Sequence, residues 1–121
     1  LQTSGIVRIG VISDIHYAGA SEQSRGDDFE YRALKNPLMR GLIRFHRRHI
    51  WLRHPLGQNH LLSQFLNKKA EFDFVAANGD FSCNSGFIGV ADQPAFESAI
   101  ECLTKLRSAF PGRFYATAGD H

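Results

Sequence analysis

Three short apolar runs, separated by longer segments with helical spacing, set out the chain. The first run, residues 7–12, is Val, Ile and Gly apart from Arg8 and reads as a buried strand. It runs into Ser13-Asp14-Ile15-His16. Residues 18–30 are rich in Gly, Ser and Asp and read as a loop. Asn36-Pro37 then has the form of an N-cap followed by proline in the first helical turn. Leu38, Leu42, Phe45, His49 and Leu52 recur at helical spacing, with Arg40, Arg44, Arg47 and Arg48 mostly on the other face. Pro55 and Gly57 end that helix. Leu61, Leu62, Phe65 and Leu66 form the stripe of a second helix, and Lys68 and Lys69 at its end suit the helix dipole.

Residues 72–77 form the next apolar run, a second strand closed by the turn Asn78-Gly79-Asp80. Residues 82–91 read as a loop. Asp92 or Gln93, with Pro94, opens a third helix whose stripe is Phe96, Ala99, Ile100, Leu103 and Leu106, and Pro111-Gly112 ends it. Residues 113–118 are a third strand, followed by Gly119-Asp120-His121. The order strand, helices, strand, helix, strand predicts an α/β fold, β-α-β-α-β, with parallel strands and right-handed crossovers. The 121 residues suffice for one domain, spanning 1–121.

Parallel strands change the meaning of the polar residues after them. The C-terminal ends of all three strands lie on one edge, where open α/β sheets place their sites. That edge gathers Asp14 and His16, then Asp80, then Asp120 and His121. Carboxylates crowded this way repel one another unless a cation holds them, and the mixed oxygen and nitrogen donors suit Mn, Fe or Zn. Glycine before Asp80 and Asp120 lets the chain turn sharply there.

Asp14-Ile15-His16, Gly79-Asp80 and Gly119-Asp120-His121 together resemble the first three motifs of the calcineurin-like metallophosphoesterases. The resemblance spans Val7 to His121. It implies metal-dependent hydrolysis of phosphate esters through a binuclear centre. Asp14 and His16 would bind the first metal, Asp80 would bridge two divalent or mixed-valence ions, and Asp120 would bind the second. His121 would stabilise the leaving oxygen, and Asn84 is a candidate substrate contact. Asp120 stands where the family has Asn, which adds a negative charge to the site. The family's later histidine motifs have no counterpart up to His121. The fold implied is therefore the first half of a two-sheet α/β/β/α sandwich, and the partners expected are a phosphate ester and a completing half or chain.

Each reading has a plainer rival. Asp14 and His16 can be strand-end polar groups, Asp80 a turn residue and Asn84 a loop cap. The whole can be a non-catalytic metal-binding scaffold, or a nuclease-type phosphodiesterase that holds a polyanion on its arginines. The arginine segment reads first as a solvated face opposite an apolar stripe, so nucleic acid is not the favoured partner. His49, near that stripe, is expected to be packed rather than a ligand. Phe87, Ile88 and Val90 either wall a pocket or pin a loop. Cys83 and Cys102 fit neither a disulfide scaffold nor a Cys-x-x-Cys metal pair, and Cys102 is expected to be structural. They agree weakly with a reducing compartment, which favours the cytoplasm slightly. Residues 1–5 lack the basic and apolar regions of a signal peptide. No segment reaches the length of a membrane span, and no membrane partner is expected.

Overall fold

The computed structural model describes residues 5–32, 34–51, 54–83 and 92–118. Three parallel strands, β1 (Ile9–Ser13), β2 (Phe74–Asn78) and β3 (Phe114–Thr117), pair in the order β1-β2-β3. The expected parallel α/β sheet is therefore present. The second strand starts two residues later than the apolar run. Phe72 instead closes a 3₁₀ turn over Lys69–Glu71, and the Asp73 carboxylate accepts from the Arg8 N–H at 2.8 Å.

The first crossover holds α1 (Ala20–Arg25), α2 (Phe29–Arg32), α3 (Pro37–His46) and α4 (Asn59–Asn67). The second holds α5 (Gln93–Ala109). α3 starts as predicted, with the Asn36 side chain accepting from the N–H groups of Leu38 (2.9 Å) and Met39 (3.3 Å) and Pro37 in the first turn. Its end widens into π turns over Arg47–Trp51. α1 and α2 correct the expectation of a loop over residues 18–30. Ala20–Arg25 carries no apolar stripe for periodicity to detect. It folds because Glu22 is drawn into the interior.

Successive crossovers of one hand, moving the same way across a sheet, put their helices on one face. The core lies on that face. Val75 and Ala77 of the central strand meet Leu62 of α4, Cys102 and Leu106 of α5, and Phe110. Burial of side chains such as Leu106 and Phe110 stabilises the fold by roughly 1.5–3 kcal/mol each. Gly10 faces this side, where a Cβ would stand 3.0 Å from the Phe72 ring. The ring takes the space, stacked on Phe65 with centroids 5.5 Å apart. Cys102 is structural, as expected.

Three expectations about faces are corrected. β1 is not buried on both sides: Ile9 and Val11 point away from the helices and are exposed, with Phe74 and Tyr115 beside them. α5 buries Ala95, Ser98, Cys102 and Leu106; of the expected stripe Leu106 is buried and Ala99 and Leu103 are half-buried, while Phe96 and Ile100 are exposed. The small residues Ala95 and Ser98 let the chain before α1 come close, and the Gly19 N–H donates to Ser98 Oγ at 2.8 Å. Finally, the stripe of α3 is not packed: none of its described residues is buried, and Leu52 lies outside the described residues. His49 is accordingly not a core residue; it is exposed and stacks on Phe45, ring centroids 4.6 Å apart.

Candidate metal centre

The parallel sheet places the turns after β1 and β2 side by side. They stay paired beyond the strands: His16 N–H donates to the Asp80 carbonyl at 2.9 Å and Tyr17 N–H to that of Phe81 at 3.1 Å. Between the two ligand candidates, Ile15 is buried in the core and anchors the turn. Asp14, His16 and Asp80 each offer a donor atom, and the three atoms lie within 4.8 Å of one another. Asp14 is exposed, while His16 and Asp80 are partly buried.

The backbone reaches this arrangement by an unexpected route. Strand alternation predicts Asp14 and His16 on one side of an extended chain. Instead both are left-handed, with φ 51° and 45°, and Asp80 matches them at 49°. These three are the positive-φ non-glycine residues among those described. Gly79, φ 69°, takes the same region without a Cβ penalty. A left-handed backbone costs an L-residue roughly 1–2 kcal/mol. Such cost persists where surrounding structure imposes it, and it clusters at functional sites.

Hydrogen bonds fix the donors. The Ser13 hydroxyl donates to the Asp14 carboxylate. His16 Nδ1 lies 3.1 Å from the Ser82 carbonyl oxygen, which can only accept. Nδ1 therefore carries the proton, and Nε2 keeps its lone pair for a ligand. Asp80 Oδ1 is buried and has no hydrogen-bond partner among the described residues. A buried carboxylate oxygen without a donor is costly, and a cation beside it removes that cost.

A second layer lies beneath. Cys83 Sγ is 2.6 Å from the His16 carbonyl oxygen and 3.2 Å from that of Pro55. Burial pushes the thiol up to about 12, so it serves as a donor under the turn and not as a thiolate ligand. Fully buried Glu22 pairs with Arg25 at 3.0 Å, and Arg25 reaches on to Asp92 at 2.7 Å. Asp92 precedes α5 as expected, but its carboxylate serves this ion pair rather than capping the helix.

The rim thus unites Asp14, His16 and Asp80 as the sequence placed them. Asn84, Asp120 and His121, and the wall residues Phe87, Ile88 and Val90, lie outside the described residues. Sequence reasoning missed Ser82 and the structural part of Cys83. Ser82 acts through its carbonyl, which every residue has, and Cys83 through a contact set by the pairing of two turns. Compared with family models, curated proteins and solved structures, the chain matches none.

Proposed function

We propose that this rim is the metal centre of a phosphoester hydrolase of the calcineurin-like type. The observation that carries the reading is the convergence of three ligand-type donors on a shared backbone conformation. The three residues whose donors converge within 4.8 Å are the same three held left-handed without being glycine. The buried Oδ1 of Asp80, without a hydrogen-bond partner among the described residues, supports it further.

In this reading Asp14, His16 and Asp80 would hold the first ion, and Asp80 with Asp120 the second. Ions of the Mn, Fe or Zn kind supply positive charge for the phosphoryl group and for the attacking water. The chain's own part is to fix the donors. Ser82 sets the tautomer of His16, and Ser13 orients Asp14. His121 would supply a proton to the leaving oxygen, and Asn84 would be the residue to contact the phosphate ester. The three-stranded sheet is then the first half of a two-sheet sandwich, completed by further chain or by a partner. The exposed side of the sheet agrees with this.

The test joins Mn²⁺ titration by calorimetry to hydrolysis of a chromogenic mono- and diester. Asp80→Ala is expected to abolish both binding and hydrolysis. Full activity in that variant would sink the two-metal reading. The chain by itself is expected to turn over weakly or not at all, so hydrolysis is measured with the completing half present, where binding without turnover in the parent would identify a metal-binding scaffold instead.

A further inference from the structure

α3 is mounted with its apolar side outward. Leu38, Leu42, Phe45 and Ile50 are exposed to between 57% (Phe45) and 79% (Leu38). His49, on the same side, turns Nδ1 back to the Phe45 carbonyl at 3.0 Å. The arginines serve the domain side. Arg40 donates through Nε and Nη2 to the Leu34 carbonyl, and half-buried Arg47 interacts with Asp27. Arg44 and Arg48 lie close enough to Tyr31 to oppose the upward push of burial on its hydroxyl. Along the sequence the charge around the helix is one-sided, although in space Asp27 faces Arg47 and Asp28 pairs with Arg32 at 2.6 Å. Residues 32–70 contain nine of the chain's 14 Lys and Arg and none of its 12 Asp and Glu.

We propose that α3 with its π extension is a membrane-surface helix, lying in the headgroup plane of an anionic bilayer with this stripe inserted. The segment 37–51 is about 22 Å long at the α-helical rise and carries the basic, amphipathic pattern of such helices. A helix is roughly 10 Å across, so arginines on its far side stay within about a Debye length of the headgroups. Charge complementarity selects this occupant. A second copy would bring two acid-free, arginine-rich segments together. A nucleic acid would meet the arginines and leave the stripe in water. The exposed stripe is apolar at Leu38, Leu42, Phe45 and Ile50, and the polar His49 on the same side is folded back onto the Phe45 ring and carbonyl. The expectation of no membrane partner rested on the want of a span. No helix among the described residues is long and apolar enough to cross a membrane, and a helix lying on one needs no such length. The inference stands independently of the proposed hydrolase.

The chain's single tryptophan, Trp51, is the last residue of this segment. The full chain is mixed with phosphatidylcholine vesicles, with and without phosphatidylglycerol. Co-sedimentation with the anionic vesicles and a blue shift of Trp51 emission are expected. Leu42→Glu with Phe45→Glu should bind at least about tenfold more weakly with unchanged far-UV circular dichroism. Leu38→Gln provides a milder second variant with the same expected direction. Absence of binding and shift with either vesicle overturns the proposal, as does equal binding by the variants. Dimerisation through this face without lipid, seen by light scattering and abolished by the same variants, also overturns it. So does capture of the helix by an acidic protein when vesicles fail.

Discussion

At Asp14 the carboxylate and the backbone make opposite demands. The left-handed φ of 51° favours glycine, yet glycine would lack the carboxylate that Asp14 offers to a metal. Asp14→Gly separates the two. It removes the donor and relieves the backbone, and Asp14 is exposed, so little packing is lost. The variant is expected to melt no lower than the parent, while Mn²⁺ affinity falls at least about tenfold. Differential scanning fluorimetry and calorimetry check the pair of outcomes. A lower melting temperature with unchanged affinity would make Asp14 a structural residue. The sequence disclosed Asp14, His16 and Asp80 because carboxylates and imidazoles stand out after apolar runs. It did not disclose how they converge. Asp and His are enriched at left-handed φ but mostly lie elsewhere, so residue type marks the conformation weakly, and the Ser82 carbonyl leaves no mark.

Between elements, the joint of α1 and α5 is the most charged part of the interior. Glu22 is fully buried, and burial pushes its carboxyl above the usual value of 4.5, against the pull of Arg25. The folded state therefore holds the Glu22 proton more tightly than the unfolded chain does. This stabilisation is full below the unfolded pKa and is lost as pH rises through the higher folded value. Glu22→Gln, which stays neutral, should show no such loss. Its melting temperature relative to the parent is expected to rise between pH 4.5 and neutrality. A relative fall over that interval would mean that the ion pair with Arg25 outweighs burial. The joint also shows why α1 was hidden. Short helices held by one buried acid and by small residues such as Ala95 and Ser98 lack the apolar stripe that periodicity detects. α3, by contrast, was legible in its start, cap and stripe. Periodicity defines a stripe without saying which way it faces, so its outward mounting was not legible.

For the whole molecule, the parallel sheet and the common rim followed from strand–helix alternation, which constrains topology strongly. The same rule leaves one face of the sheet without helices. Ile9, Val11, Phe74 and Tyr115 occupy it, with the Phe74 and Tyr115 rings 6.4 Å apart. An apolar surface of this kind calls for a covering layer or promotes association. Val11→Thr with Tyr115→Thr distinguishes an open face from a covered one. Threonine keeps the strand propensity and removes apolar area. If the face is open in solution, stability should change by no more than about 0.5 kcal/mol per site, and light scattering at high concentration should fall. If a second layer covers it, the same pair should cost about 2–5 kcal/mol, because buried groups are lost and hydroxyls enter a core. The isolated chain is expected to give the first result. An assembly with the second layer of the proposed sandwich should give the second. A difference between the two measurements would place that layer on this face, and equal small effects in both would place it elsewhere.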